Sequence, residues 1–183
     1  MKQEVRNFNK KYPLWKACGF HDDIRIGMHY ISFANGYAYA TDSHILVRAR
    51  LTDISNIDEH ELSLLDGKFI HGNFFKEIVG CKGNVTITPD AIVVERNRGQ
   101  IIYPLVTGIR FPECEKAMVG SEEITLKKRF ALKAHYLNTL SEIMGCGFGI
   151  QMTWKSNQMF EVCPVDGNKD IKGVIMTIMV RDL

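Results

Sequence analysis

The sequence predicts an α+β fold built from one repeated unit, a short helix followed by three strands. Two observations carry this reading. Helix signals recur at residues 12–18, 71–81 and 133–145, and each is followed by strand-like segments set apart by turn residues. The second and third helices also resemble each other, with Phe74-Phe75-Lys76-Glu77-Ile78-Val79-Gly80 against Leu140-Ser141-Glu142-Ile143-Met144-Gly145. That self-similarity marks an internal repeat with a period of roughly 60 residues.

Each element has its own local reason. Pro13 suits the first position of a helix at 12–18. Strands at 28–33, 36–41 and 45–51 follow it. Between the first two, Asn35-Gly36 is a type I′ hairpin signal, because both residues tolerate positive φ. Tyr37, Tyr39 and Thr41 alternate with Ala38 and Ala40, so one face of that strand is bulky and the other small. Asp42-Ser43 then turns the chain into Ile45-Leu46-Val47. Residues 52–66, with five acidic side chains, read as a loop. In helix 71–81 the stripe is Phe74, Phe75, Ile78 and Val79, and Gly80 is the stop. Strands at 85–88, 91–95 and 100–105 come next, with Pro89-Asp90 as a turn. Residues 118–123 read as a second loop. Helix 133–145 carries Tyr136, Leu137, Leu140, Ile143 and Met144 and stops at Gly145. The last strands are 149–154, 158–163 and 173–180, with Ser156-Asn157 as a turn. Residues 1–118 are thus expected to form one domain of two units, and 119–183 a third unit with no partner of its own.

Composition narrows the class. A chain of 183 residues, 45% hydrophobic, buries a full core without staples. Its 23 basic and 21 acidic residues leave a net charge of +2, so any nucleic-acid contact must come from local clustering. Five cysteines, Cys18, Cys81, Cys114, Cys146 and Cys163, form no Cys-x-x-Cys pair. They read as reduced thiols of a cytoplasmic protein. No apolar run is long enough to span a membrane, and Met1 leads into polar residues, not a signal core.

The hairpin Ala40-Thr41-Asp42-Ser43-His44-Ile45-Leu46 resembles the "ATDGHRL" hairpin of bacterial sliding clamps, the beta subunit of DNA polymerase III. Other segments resemble that family in the same order. Residues 22–28 resemble the stretch where an arginine precedes the first strand of the second clamp domain, and 69–75 resemble the start of its second helix. Leu105-Val106-Thr107-Gly108-Ile109-Arg110-Phe111-Pro112-Glu113-Cys114 resembles its "LIDGRFPDY" segment. Residues 130–180 resemble the second half of the third domain, with Val174-Ile175-Met176-Thr177 against the C-terminal "VVMP". Two departures stand out. The first domain and half of the third have no counterpart, and Ile45 and Thr177 replace the family's arginine and proline.

The resemblance implies a sliding-clamp (DNA clamp) fold, with antiparallel sheets outside and short helices on one face. It implies a non-catalytic DNA tether for replication or repair partners, without cofactor or metal. A groove for apolar peptide motifs of polymerase-like partners falls on Thr41, Ser43, His44, Leu46, Pro112, Val174, Met176 and Thr177. The same residues also read as ordinary strand core and a turn histidine. Weak, non-specific contact with double-stranded DNA falls on Lys10, Lys11, Lys16, Lys76, Lys127, Lys128, Arg129 and Lys133, which also read as solvated surface. The unpaired third unit either packs across the first two within the chain or pairs with its equivalent in a second copy, and closed symmetry points to the latter, a homodimer or a higher ring. A second reading is a clamp-derived adaptor or regulator that does not encircle DNA. Enzyme readings are poorly supported. Asp22, Asp23 and Asp42 form no known catalytic motif, and the glycines at 145–149 follow a helix where phosphate binding needs them to precede one.

Overall fold

Asn35 and Gly36 adopt φ of 52° and 76°, the left-handed pair that a type I′ turn requires, and the chain folds back on itself there. The computed structural model describes residues 5–96, 99–119, 130–147, 149–156, 158–166 and 170–178. The turn joins β1 (Tyr30–Ala34) to β2 (Tyr37–Thr41), and β3 (Ile45–Arg50) runs back beside β2. The first predicted helix is a single 3-10 turn, Leu14–Ala17, and a second such turn, Ile26–His29, precedes β1. Residues 52–66 hold a short helix, α1 (Glu59–Ser63), capped by the Asp58 carboxylate. Next come β4 (Phe69–His71) and α2 (Gly72–Gly80), then β5 (Val85–Ile87), β6 (Ala91–Arg96) and β7 (Gly99–Pro104). The expected second loop overlaps a short helix, α3 (Cys114–Val119). The chain continues through α4 (Ala134–Met144), β8 (Ile150–Ser156), β9 (Met159–Pro164) and β10 (Lys172–Met176). Gly145 ends α4 with φ of 60°, as its place after the apolar stripe predicts.

The strands make two antiparallel sheets. β5-β6-β7 form the smaller one. The larger has seven strands in the order β4-β1-β2-β3-β10-β9-β8. The third unit therefore finds its partner inside the chain, since β10 pairs along β3 with Val174 opposite Leu46 and Gly173 opposite Val47. The third unit's apolar stripe is covered within the chain as well. Leu140, Ile143 and Met144 are buried against strands of both the first and third units. Gly173 makes this approach feasible, because a Cβ there would lie 2.9 Å from the Met144 methyl and 3.0 Å from Leu140.

Alternation along the central strands gives this sheet two different faces. Ile45, Val47, Ala49, Phe160, Val162 and Ile175 point into the main core, beneath the first 3-10 turn, α2 and α4. Tyr39, Leu46 and Val174 point the other way and pack under α3. The helices other than α3 thus gather over one face, and the sheet forms the opposite wall. Among the described residues, no helix is long and apolar enough to cross a membrane.

Two predictions follow from this packing. Leu140→Ala is expected to cost ~3 kcal/mol and to lower one cooperative urea transition, since the side chain ties two units together. The second concerns His71, whose Nδ1 accepts the Asn73 N–H at 3.3 Å and so caps α2. Burial, and then the neighbouring His29, hold its pKa below the ordinary value of 6.5. The unfolded chain then takes up a proton before the folded one. Stability is complete above about pH 6.5 and declines as pH falls from there through the folded pKa. Urea midpoints measured across that window should flatten in His71→Asn, which keeps a capping oxygen and removes the titration.

Candidate functional site

The β2–β3 turn is held rigidly by its own side chains. The Asp42 carboxylate accepts the N–H groups of His44 and Ile45, each at 2.9 Å. Thr41 Oγ1 donates to the Ile45 carbonyl at 2.7 Å and accepts the Ser43 N–H at 3.1 Å. Ser43 sits at φ 75°, where the family motif carries glycine. The end of β10 is stitched to this turn, because the Met176 N–H donates to the His44 carbonyl at 2.9 Å. Thr177 donates to the Gln158 carbonyl at 2.8 Å, and Pro112 leads into α3, its carbonyl accepting the Cys114 N–H at 2.9 Å. Thr41, Ser43, His44, Leu46, Pro112, Val174, Met176 and Thr177 are thus carried on three adjoining segments: the hairpin, the end of β10 and the start of α3.

Their exposure differs sharply. Met176 is 41% exposed, whereas Leu46 and Val174 retain only 5% and 4%. Cys114 and Met118 of α3 cover those two side chains and Tyr39 beside them. Glu115 of α3 accepts a hydrogen bond from the Tyr39 hydroxyl and lies 3.7 Å from Arg48 Nη1. Burial, then Glu115, push the Tyr39 phenol above its ordinary range. Arg48 stacks on the Tyr37 ring at 4.6 Å. The sequence reading assigns none of Tyr39, Arg48, Cys114, Glu115 and Met118 to the groove. The available signal was Cys114 and Met118 at i, i+4, just after Phe111.

The lysines lie on or beside the helical face. Lys16 is on the first 3-10 turn, Lys76 on α2, and Lys133 stands just before α4, its side chain making no capping bond and its ammonium lying 5.5 Å from the Tyr136 ring. The stem of Lys11 lies against Gly145 at the other end of α4, and Lys10 is exposed beside it in the chain. Lys16 is paired with Glu142 of α4, which holds that carboxyl below its usual range. Among the described residues, no carboxylate pairs with Lys10, Lys11, Lys76 or Lys133. Lys127, Lys128 and Arg129 lie outside the described residues.

A cleft of about 630 Å³ opens between the hairpin turn, residues 16–25 and the start of α4. It contains Asp22, Asp23 and Asp42, whose structural roles are now visible for two. Asp22 is engaged by the Arg25 backbone and guanidinium, which lowers its pKa, and Asp42 braces the turn. Tyr136 at its edge is pushed up to about 12, first by burial and then by Asp42. Among the described residues, no three His, Cys, Asp or Glu side chains are arranged to hold a metal ion.

A two-faced sheet with helices over one side is the architecture of the DNA sliding clamps. Among the similar solved structures are bacterial DNA polymerase III beta subunits. One from Thermotoga maritima matches with a TM-score of 0.58 at 11% identity, over 97% of this chain and 65% of that one. The sliding clamp of Bacillus subtilis matches at 0.61 and 9% identity, over 98% and 67%. That of Bartonella birtlesii, bound to griselimycin, matches at 0.64 and 13%, over 98% and 68%. The chain therefore has the sliding-clamp fold and spans about two thirds of the length of these clamps. No family model matches the sequence, and no curated protein matches it.

The burial difference separates two substitutions on the candidate groove. Leu46→Asp places a carboxylate in the layer under α3 and is expected to cost ~3 kcal/mol or more. Met176→Asp is expected to leave stability within ~0.5 kcal/mol. Thermal unfolding of both variants checks this, and comparable losses would mean that Met176 is not a surface position.

Proposed function

We propose that the chain is a non-catalytic, clamp-like tether in the cytoplasm. It contacts double-stranded DNA weakly and without sequence preference through its helical face. Its outer face holds apolar peptide motifs of polymerase-like replication or repair partners, at a groove of Thr41, Ser43, His44, Leu46, Pro112, Val174, Met176 and Thr177. The observation that carries this reading is the two-sidedness of one continuous sheet. Lysines on or beside the helices stand over one face, while the hairpin, β10 and α3 meet at the other. Such an object needs no reacting group. Ammonium groups on a rigid wall meet phosphates without reading bases, and a methionine-lined groove accommodates varied apolar side chains. In this reading residues 1–118 act as a domain of two units and 119–183 as the half-domain that extends the wall. One copy has about two thirds of a clamp chain's length, so encirclement of DNA calls for self-association into a homo-oligomer.

The second reading, a clamp-derived adaptor that does not encircle DNA, is favoured by one observation. Glu142 pairs with Lys16 in the middle of the helical face and offsets its charge. DNA binding as a function of salt decides between the two. The tether binds duplexes of unrelated sequence alike and loses affinity as salt rises. Neutralising Lys10, Lys76 and Lys133 together lowers the slope of log affinity against log salt by ~2–3 if each touches phosphate. No binding at low salt, together with a single-chain mass of 20.9 kDa by light scattering, establishes the adaptor instead.

A further inference from the structure

The groove proposed above is not empty, since this chain fills it with its own short helix. α3 is described over six residues, a length that persists through what it touches. Its anchors are few. Cys114 and Met118 are buried at 7% and 6% against Tyr39, Leu46 and Val174, and Glu115 reaches Tyr39 and Arg48. The closed arrangement also carries a defect. Arg48 Nε is buried with no hydrogen-bond partner among the described residues, a standing cost at the place where the helix closes down. The surface of α3 turned to solvent holds Lys116, which pairs within the same segment with Glu113 and so does not tie the helix to the sheet.

We propose that α3 is a displaceable occupant of the outer groove, closed over Leu46 and Val174 in the free chain and lifted when a partner segment enters. The partner's chemistry is set by what it replaces: an apolar side chain in the place of Met118 and a carboxylate in the place of Glu115, against Tyr39 and Arg48. This rests on the groove reading. The opening of α3 is testable without it.

Cys114 reports the opening directly. Its thiol is buried beneath α3 and pushed up to about 12, by burial and then by Glu115, so iodoacetamide reaches it only when the helix lifts. Cys18 and Cys81, buried in the main core, are internal controls. Alkylation followed by peptide mass is expected to be about tenfold faster at Cys114 in Glu115→Gln, which loses one charge-assisted hydrogen bond. Met118→Ala is expected to act likewise while keeping the Glu115 charge, and Cys18 and Cys81 are to remain protected in both. Amide exchange over residues 114–119 should rise in step, which excludes altered thiol ionisation as the cause. Cys114 labelling at the parent rate in both variants overturns the proposal, and so does a joint rise at all three cysteines. A synthetic peptide of residues 113–119 tests the vacancy left behind and should bind Met118→Ala more tightly than the parent chain. Faster labelling without capture of that peptide leaves the displaceable helix standing and overturns the groove as a docking site.

Discussion

The pairing of β10 along β3 is the constraint on which the rest of this molecule depends. It places a strand from the end of the chain beside the central hairpin and makes one seven-stranded sheet out of two sequence units. Because side chains alternate along paired strands, that single register assigns every neighbour. Ile45, Val47 and Ile175 face the main core, and Leu46 and Val174 face α3. A slip of one residue would exchange the two sets and leave α4 without its apolar floor.

Much of this was legible in the sequence where the signal is local. The Asn35-Gly36 turn, the strand after it and the α4 stripe with its Gly145 cap each follow from residue types at short spacing, and each is found as expected. The three-residue strand β4 and the one-and-a-half-turn helices α1 and α3 are too brief to show a period. The joining of β10 to β3 was invisible for a different reason, since no local pattern encodes which distant edge a strand will choose. The third unit's apolar stripe and open sheet edge demand a partner, and of the two ways to supply one the fold pairs them within the chain. For the candidate groove, the hairpin and β10 residues were legible through the family resemblance. Their burial was not, because it depends on α3. The pairing of Lys16 with Glu142 was hidden likewise, since it spans most of the chain.

At 9–14% identity to clamps of known structure, little besides pattern is shared. What the fold demands of this chain is an arrangement of faces: small and apolar residues where helices press on strands, Gly173 where α4 comes close, and a turn braced by Asp42 and Thr41. These requirements restrict side-chain size and hydrogen-bonding capacity more than identity, so a sequence can drift far while the wall and its two faces remain. The charges are freer still. With a net charge of only +2, the strength of the helical face is set by which lysines are paired locally, not by the molecule as a whole.

The register of Val174 opposite Leu46 also sets an order of events during synthesis. The two strands lie well over a hundred residues apart in sequence, so β3 leaves the ribosome on the order of ten seconds before β10. Throughout that interval β3 presents an unpaired backbone edge. A hairpin so placed offers a template to the matching strand of another nascent copy. Exchange of β10 between neighbouring chains is the specific misassembly to which such a late-pairing edge is open.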